Sequence, residues 1–417
     1  MDIEDIQKKA NYCLNCKTKP CTKGCPINTN IPEFINYIKN KEYEKAYKIV
    51  SQNNDLSHIC ALICPVEEQC EGACVRGIKG EPVKINELEL FLSKWASENL
   101  EEKTLKIKEK NNIKVAVIGS GPAGLICSAE LARYGFSVTI FEEYPKLGGI
   151  LTFGIPEYRL PREILNNTIN KILKLGIEVK TEVSFGKDIT IESLKNEEYE
   201  YIFLGIGAKK SIFMNINNVN CKNVYGANEF LKIYNENKKI ECKNVVVIGG
   251  GNVAIDAARS AKKMGATDVT IVYRRRKQDM PARDIEIEEA EEDNINFMFQ
   301  SNPINIKTVD NNVVEVTCLK TEIIDGKAKN VENTEFNLEI DTIIMAIGSK
   351  PDTELLGELN IDTNENSFII VDEFGKTNIE GVYAGGDVTN TKATVCKAVH
   401  SGKQAALGIK FASEKMN

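Results

Sequence analysis

The chain has 417 residues, of which 42% are hydrophobic and 27% are charged, and its formal net charge at pH 7 is −7. This length allows two or three domains of roughly 100–200 residues each, and no stretch approaches the ~18 consecutive apolar residues of a membrane helix. The acidic balance argues against nucleic acid as a partner, because nucleic-acid domains usually carry a basic face. The start of the chain, Met1–Asp5, lacks the features of a signal peptide, so a cytoplasmic location without membrane association is expected.

Eight of the thirteen cysteines lie in the first 74 residues, at Cys13, Cys16, Cys21, Cys25, Cys60, Cys64, Cys70 and Cys74. Disulfides are rare in a reducing cytoplasm, so these thiols are predicted to bind a metal cluster. The first four follow a C-x2-C-x4-C-x3-C-Pro spacing similar to that of ferredoxins, whose last cysteine reaches a second cluster. Structural zinc is the alternative, although it prefers paired C-x2-C units and the chain has one such pair, Cys13 and Cys16.

Apolar residues recur at helical spacing between Ile31 and Val50, which predicts a helical stretch beside the cysteine loops. The charged run from Ser97 to Asn112 is predicted to be a solvated helix end and a linker. Beyond it, apolar strands alternate with amphipathic helices, a pattern that indicates parallel α/β sheets. The predicted domains are residues 1–110, 111–224, 225–345 and 346–417.

The first strand–glycine–helix unit places Gly119, Gly121 and Gly124 directly after an apolar strand. The first glycine of such a motif makes a tight turn, the second lets backbone N–H groups approach a pyrophosphate, and the third allows close helix packing. A second strand, Val138–Phe141, leads into Glu142, whose carboxylate can accept hydrogen bonds from ribose hydroxyls. Together these features predict a dinucleotide site.

A second unit of the same kind begins with the strand Val245–Ile248 and continues through Gly249 and Gly251. Its second strand ends at Tyr273 and is followed by arginines instead of an acid, at Arg274, Arg275 and Arg276. Guanidinium groups hold a 2′-phosphate where a carboxylate would repel it, so NADP is favoured over NAD. The alternative is that these arginines form a solvated turn.

Two further segments, Tyr201–Ala208 and Thr342–Ser349, are predicted strands that end in glycine turns, suited to crossings between two nucleotide domains. Near the end, the strand in Gly381–Asp387 places a carboxylate after a glycine pair, and Ala393–Val395 opens a helix. The N-terminus of that helix would stabilise negative charge on a reduced flavin ring.

With these motifs in place, the whole chain resembles the small (beta) subunit of NADPH-dependent glutamate synthase. The family includes the large subunit of electron-bifurcating ferredoxin:NADP transhydrogenase and the N-terminal half of dihydropyrimidine dehydrogenase. The most specific stretches are Cys70–Gly77, Leu147–Pro161, Tyr273–Arg275 and Ala384–Asp387. The resemblance implies an α/β fold with an N-terminal α-helical iron–sulfur domain, followed by two Rossmann-like domains for FAD and NADP, the NADP domain being inserted in the FAD domain.

The resemblance also implies two [4Fe–4S] clusters. One would be held by Cys13, Cys16, Cys21 and Cys74, and the other by Cys25, Cys64, Cys70 and Glu89. A solvated helix glutamate is the alternative for Glu89, and Cys60 is expected not to be a ligand. The remaining cysteines are predicted to be single core residues, at Cys127, Cys221, Cys242, Cys318 and Cys396.

Nineteen further residues are assigned to the nucleotide cofactors. Those for FAD are Gly119, Gly121, Pro122, Ala123, Gly124, Glu142, Gly149, Arg159, Gly386, Asp387, Thr394 and Val395. Those for NADPH are Gly249, Gly251, Asn252, Val253, Arg274 and Arg275. Gly348, in the predicted crossing between the two domains, is assigned to a nucleotide cofactor without a choice between FAD and NADPH. No catalytic side chain is expected, because the cofactors carry the reaction. His58 and His400 do not suggest a dyad, and no second C-x2-C pair supports a thioredoxin-reductase mechanism.

The predicted function is an NADPH-oxidising electron-transfer subunit, in which hydride passes to FAD and single electrons pass through the clusters to a partner. Asp2 follows Met1, so an N-terminal cysteine for glutamine hydrolysis is not expected, and a partner subunit or a ferredoxin-like acceptor is predicted. A homo-oligomer is compatible with the sequence. The alternatives are an electron-input subunit of a dihydropyrimidine dehydrogenase or a ferredoxin-linked transhydrogenase and, more distantly, a zinc-binding redox sensor or scaffold.

Overall fold

The computed structural model describes residues 2–100, 109–389 and 394–416. Its α-helices are α1 (Ile3–Tyr12), α2 (Pro20–Gly24), α3 (Ile31–Lys39), α4 (Tyr43–Asn53), α5 (Ser57–Ile63), α6 (Ile85–Asn99), α7 (Pro122–Tyr134), α8 (Ile150–Phe153), α9 (Arg162–Leu173), α10 (Ile191–Asn196), α11 (Ala227–Asn235), α12 (Asn252–Lys263), α13 (Asp284–Glu292), α14 (Thr353–Glu358) and α15 (Val395–Met416). Its strands are β1 (Lys114–Ile118), β2 (Ser137–Glu142), β3 (Glu178–Thr181), β4 (Tyr199–Leu204), β5 (Lys210–Ser211), β6 (Val224–Gly226), β7 (Asn244–Ile248), β8 (Asp268–Tyr273), β9 (Asn296–Phe299), β10 (Ser301–Val309), β11 (Asn312–Ile324), β12 (Lys327–Asn330), β13 (Phe336–Glu339), β14 (Thr342–Met345), β15 (Ser349–Lys350) and β16 (Val382–Ala384).

The chain divides into two compact units. The first comprises Met1–Thr152, Tyr158–Gly207 and Thr353–Asn417, and the second comprises Phe153–Glu157 and Ala208–Asp352. The second unit thus interrupts the first in sequence, and the predicted α/β class with an inserted nucleotide domain is confirmed. The four predicted domain boundaries stay a prediction. Part of the predicted linker, residues 101–108, and Ala393 at the predicted helix start lie outside the described residues.

The cysteine-rich segment is helical and has an apolar core that includes Phe34, Ile38 and Leu88, each fully buried. The prediction of one helical stretch from Ile31 to Val50 is wrong, because α3 ends at Lys39 and α4 begins at Tyr43. Lys41 adopts a left-handed φ of 59°, and the N–H of Glu42 donates to the carbonyl of Tyr37 at 2.9 Å. This is a Schellman turn, which reverses the chain and ends the helix.

The first unit contains a five-stranded parallel sheet in the order β16-β4-β1-β2-β3. Its central strand is buried on both faces, as parallel sheets covered by helices are. Helix α7 follows β1 and packs against α15. At their crossing a Cβ on Gly402 would lie 2.4 Å from the carbonyl oxygen of Ala123, so only glycine permits this approach.

The second unit contains another five-stranded parallel sheet, in the order β6-β14-β7-β8-β9. Antiparallel strands β10, β11 and β12 form a separate sheet to which β13 adds by pairing with β11. Strands β5 and β15 form a two-stranded antiparallel ribbon. No helix within the described ranges is long and apolar enough to cross a membrane.

Candidate functional site

The glycine loop after β1 is shaped by close backbone approaches. Gly119 has a φ of 92°, and a Cβ on it would lie 2.6 Å from the carbonyl oxygen of Gly205. A Cβ on Gly124 would lie 2.0 Å from the carbonyl oxygen of Gly119, so α7 begins against the loop. A Cβ on Gly121, by contrast, would meet nothing within 4 Å. The loop therefore leaves open space at the N-terminus of α7, the position that suits a pyrophosphate.

Glu142 ends β2 beside this loop and is 3% exposed. Its Oε2 accepts hydrogen bonds from the backbone N–H, at 2.9 Å, and the hydroxyl of Ser120, and its Oε1 accepts from the N–H of Tyr144 at 3.0 Å. A carboxylate offers about four lone-pair sites, so this one is fixed in place and retains capacity for a further donor. That arrangement fits a ribose hydroxyl.

The loop before α8 packs closely against the glycine loop after β1. Gly149 has a φ of 52°, and a Cβ on it would lie 2.9 Å from the Cα of Gly121. The N–H of Gly148 donates to the hydroxyl of Ser120 at 3.0 Å. Arg159 lies further along this segment, before α9, and is half-buried.

The turn after β16 supplies a half-buried acid, Asp387. Gly386 has a φ of 78°, its N–H donates to the hydroxyl of Ser401 at 2.7 Å, and a Cβ on it would lie 3.0 Å from the Cβ of Ala123. Burial raises the pKa of Asp387 to about 6. A hydroxyl donor would offset the cost of burying this carboxylate, so Asp387 fits a polyol portion of a cofactor. Thr394 and Val395 lie at the start of α15, half-buried.

The second glycine loop, after β7, is equally constrained. Gly249 has a φ of 144°, and a Cβ on it would lie 2.3 Å from the carbonyl oxygen of Ala346. At Gly251 a Cβ would meet no atom closer than 3.8 Å, which again leaves space where α12 begins. Asn252 accepts a hydrogen bond from the backbone N–H of Arg283 at 3.1 Å, and Val253 is 43% exposed.

The arginines after β8 divide into two kinds. The Nε of Arg276 donates to Asp279 at 2.8 Å and one Nη donates to the same carboxylate at 3.0 Å, so this guanidinium is already paired. Arg274 is exposed and Arg275 is half-buried, and no side chain in the described part of the chain pairs with either guanidinium. Two guanidinium groups without a hydrogen bond or an ion pair to any described residue therefore lie at the end of β8, and the charge of Arg275 also contributes to lowering the pKa of Asp279. Gly348, which has a φ of 123°, follows β14 in the same unit.

Three of the first four predicted cluster ligands lie together. Burial, together with the nearby thiols of Cys13 and Cys74, raises the pKa of Cys21 to about 11. Cys16 lies in the same loop as Cys13, and within the described ranges no interaction joins it to the other three. The structure thus brings together cysteines from both ends of the cysteine-rich segment.

The second predicted ligand set forms a separate group. Burial raises the pKa of Cys25 and of Cys70, and the charge of Glu89 raises both further. Glu89 itself is on α6, where burial raises its pKa to about 8. A half-buried carboxyl with a raised pKa, beside two thiols, differs from the solvated helix glutamate of the alternative interpretation. Iron–sulfur clusters bind deprotonated ligands, because the iron ions are positively charged. The thiols and the carboxyl of these two groups can supply such ligands.

Cys64 is linked to this second group by Cys396, a residue that the sequence does not identify as part of the site. Hydrogen bonds with Cys396 and with Cys60 raise the pKa of Cys64. Cys396, in the first turn of α15, also donates to Oε1 of Gln69 at 3.2 Å, and its charge raises the pKa of Glu89. Cys396 is buried, as predicted for a core cysteine, and its contacts with Cys64 and Gln69 are an addition that the sequence does not indicate.

Cys127, Cys221, Cys242 and Cys318 are buried as predicted. In the parts of the chain that the structure describes, no group of three or more His, Cys, Asp and Glu side chains is arranged to hold a single metal ion. His58 lies on α5, where burial lowers its pKa to about 4, and its Nε2 has no partner among the described residues. His400 lies on α15, and burial lowers its pKa also.

Comparison with known proteins agrees with this architecture. Residues 113–405 match the family described as pyridine nucleotide-disulphide oxidoreductase, and residues 1–101 match the domain described as dihydropyrimidine dehydrogenase domain II, 4Fe-4S cluster. Fold and site together define an NADPH-dependent oxidoreductase that uses FAD and [4Fe–4S] chemistry to transfer electrons.

The relatives narrow this class. The chain is 31% identical to the glutamate synthase [NADPH] small chain of Escherichia coli (strain K12), over 96% of this chain and 90% of that protein. It is 34% identical to the NADP(+)-dependent formate dehydrogenase subunit beta of Moorella thermoacetica, over 94% of this chain and 59% of that protein. The chain therefore belongs to the family of the glutamate synthase small chain, and the predicted family is confirmed.

Solved structures show the same fold over most of the chain. FprA from Mycobacterium tuberculosis aligns with a TM-score of 0.63 at 16% identity, covering 73% of this chain and 86% of that one. Thioredoxin reductase from Lactococcus lactis aligns with a TM-score of 0.56 at 25% identity, covering 73% of this chain and all of that one.

Proposed function

We propose that the chain is the electron-input subunit of a larger complex, which accepts electrons from NADPH and delivers them singly to a partner through two [4Fe–4S] clusters. FAD, when bound, supplies the conversion from a two-electron to a one-electron carrier. One observation carries the proposal: Cys64, a predicted cluster ligand, contacts Cys396, which follows directly on the predicted flavin residues Thr394 and Val395. The cluster segment and the flavin segment therefore meet within the first unit.

For FAD, the open space at Gly121 and the N-terminus of α7 would bind the pyrophosphate. Glu142 would accept from the ribose hydroxyls, and Asp387 from a second hydroxyl donor. The remaining assigned residues shape the loops or line the cofactor, namely Gly119, Pro122, Ala123, Gly124, Gly149, Arg159, Gly386, Thr394 and Val395. Excluded side chains at three of these glycines and the raised pKa of the half-buried carboxyl of Asp387 support this assignment.

For NADPH, the N-terminus of α12 at Gly251 would bind the pyrophosphate, and Arg274 and Arg275 would bind the 2′-phosphate. The unpaired guanidinium groups support this, because an arginine already held by a carboxylate has less to offer a phosphate. The other residues assigned to this site are Gly249, Asn252 and Val253. Gly348, which follows β14, would line one of the two nucleotide cofactors.

For the clusters, Cys13, Cys16, Cys21 and Cys74 would ligate one, and Cys25, Cys64, Cys70 and Glu89 the other. The separate grouping of the two sets supports a count of two. A hard carboxylate ligand would give the second cluster a reduction potential different from that of an all-thiolate one.

The partner is proposed to be an electron-accepting subunit of the glutamate synthase type. Input to a dihydropyrimidine dehydrogenase or a ferredoxin-linked transhydrogenase is the second candidate, and the similarity to a subunit of a formate dehydrogenase supports keeping a different partner open. A homo-oligomer of the chain is compatible with either partner, because the electrons would still need an acceptor outside the chain.

Anaerobic purification from the native cell, with bound partners retained, tests these proposals together. We expect about eight iron atoms per chain, one FAD, and clusters that NADPH reduces faster than NADH does. Iron near four atoms per chain would rule out the second cluster. Flavin bleaching by NADPH without a cluster signal in electron paramagnetic resonance (EPR) would rule out the electron path, and a missing glutamate-forming subunit would rule out the glutamate synthase assignment.

A further inference from the structure

An exposed apolar surface lies beside the first predicted ligand set. Tyr12 is 38% exposed, Leu14 52%, Val75 38% and Ile78 76%, and these residues flank Cys13 and Cys74 in sequence. Single exposed apolar residues are ordinary, but a contiguous group marks a surface that another molecule covers. We call these four residues the apolar patch.

The two segments that carry the patch are held together. The Nε of Arg76 donates to the carbonyl of Tyr12 at 2.9 Å, and its guanidinium lies 4.2 Å from the centre of the Tyr12 ring. The hydroxyl of Tyr12 donates to the carbonyl of Glu81 at 3.1 Å. These contacts join the loop after α1 to the segment around Cys74, so the two segments that carry the apolar patch lie next to each other.

Exposed lysines lie in the same two segments as the apolar patch, on a chain whose net charge is −7. Residues 6–32 contain five lysines and no aspartate or glutamate. Lys9 is paired with Asp5 and Glu87, whereas no carboxylate among the described residues pairs with the exposed side chains of Lys17, Lys19 or Lys79. We call these three lysines the basic rim.

We infer that the apolar patch and basic rim are the docking surface for an acidic electron-accepting protein. The inference rests on the proposed function and specifies the class of the partner. Charge complementarity selects this occupant, since exposed lysines without carboxylate partners, in the same segments as an apolar patch, attract an acidic face whose docking then buries apolar area. The stoichiometry is fixed: each NADPH oxidised to NADP⁺ yields two electrons and one proton, and two one-electron acceptors are reduced.

The test uses purified holoprotein under anaerobic conditions with two protein acceptors of opposite charge, acidic rubredoxin and basic cytochrome c. Lys17→Glu, Lys19→Glu and Lys79→Glu are combined. Lys239→Glu, Lys327→Glu and Lys329→Glu form the control, because these lysines are also exposed and the change in net charge is the same. We expect the rim variant to reduce rubredoxin at least about tenfold more slowly at low salt, and cytochrome c faster. Equal rubredoxin rates in the rim and control variants would overturn the inference.

A second variant tests the apolar centre. Leu14→Ser with Ile78→Ser should raise the rubredoxin concentration at half-maximal rate several-fold without changing iron content, because both side chains are exposed. An unchanged value would contradict docking at the patch. A doubling of mass by light scattering that the rim substitutions abolish would show instead that a second copy of the chain occupies the surface.

Failure of the proposed function gives a different result. NADPH-dependent reduction of a neutral quinone and the EPR signal of reduced clusters are measured in the unmodified protein. If the clusters stay oxidised there, the electron path is wrong. If the clusters are reduced but the rubredoxin rates are the same in both surface variants as in the unmodified protein, the electron path is supported and the docking surface is wrong.

Discussion

At the scale of single residues, the arginines after β8 offer a direct test of nucleotide choice. We predict that Arg274→Gln combined with Arg275→Gln raises the KM for NADPH at least about tenfold, because hydrogen bonds to a charged group contribute about 1.5–3 kcal/mol. The KM for NADH should change little, since NADH has no 2′-phosphate. Steady-state kinetics with a neutral quinone measures both.

Arg276→Gln is the matched control for this pair. Its guanidinium is held by Asp279, so its loss removes charge from the same turn without removing a free phosphate ligand. We expect less than a threefold effect on either nucleotide. Equal losses for NADPH and NADH in the double variant would show that Arg274 and Arg275 do not read the phosphate.

His58 should make stability depend on pH. Burial lowers its pKa from 6.5 to about 4, helped by the charges of Lys94 and Lys171. Below pH 6.5 the unfolded chain binds a proton that the folded chain does not, so the free energy of unfolding falls as pH drops from 6.5 towards 4. Allowing for partial solvent exposure, the effect is about 2 kcal/mol over that range.

We therefore predict that His58→Gln lessens the loss of thermal stability between pH 7.5 and 5.5, measured by circular dichroism. His400→Gln is the comparison, because His400 is less deeply placed and its pKa is lowered less. An identical pH dependence in His58→Gln and the unmodified protein would show that this histidine is protonated as readily in the folded chain.

The sequence predicts most of these residue positions from local order alone, but not Cys396. The glycine spacings after a strand and the arginines after β8 are local patterns, so they can be recognised in the sequence without knowledge of the fold. Cys396 bonds to Gln69 across 327 positions, and nothing near it in sequence suggests a cluster ligand as its neighbour. Such a contact depends on how α15 packs on the cysteine-rich segment.

At the scale of elements, the glycine loops separate two reasons for a glycine: some positions lack space for a side chain within the protein, and others leave space that a ligand can occupy. Gly124 cannot accept a Cβ because the loop itself fills the space, whereas Gly121 has room for one. The strands and the loops could be predicted from apolar runs and glycines. The break between α3 and α4 could not, because apolar spacing continues across it and a left-handed lysine makes the turn.

We predict that Gly121→Ala folds normally but retains little FAD. The added methyl group meets no protein atom, so it occupies only the space assigned to the pyrophosphate. Flavin content after purification and the dissociation constant for added FAD measure the effect, which should be at least about tenfold. Gly357→Ala in α14 is the control, as a Cβ there also meets nothing, and it should be neutral or stabilising by up to ~1 kcal/mol. Normal FAD affinity in Gly121→Ala would contradict the assignment.

At the scale of the molecule, the cysteine-rich segment and the flavin segments form one compact unit, not two. The guanidinium of Arg133 on α7 donates to both carboxylate oxygens of Asp55, at 2.9 and 2.5 Å. The ammonium of Lys403 on α15 donates to the carbonyl of Asn53 at 2.6 Å. The two segments differ in composition, since one is rich in cysteine and the other in glycine. The sequence therefore does not indicate that they contact each other.

These contacts should make cluster loss and flavin release a single event on heating. We predict that Asp55→Ala lowers the free energy of unfolding of the first unit by about 2 kcal/mol, because it leaves a half-buried guanidinium without its main partner. Glu130, 3.7 Å from Arg133, limits the loss. Both the cluster absorbance and the flavin fluorescence should then shift to a midpoint about 5 °C lower. Asp5→Ala, which removes a more exposed pair with Lys9, should shift neither by more than about 1 °C. A shift in cluster absorbance alone would mean that the cysteine-rich segment melts by itself.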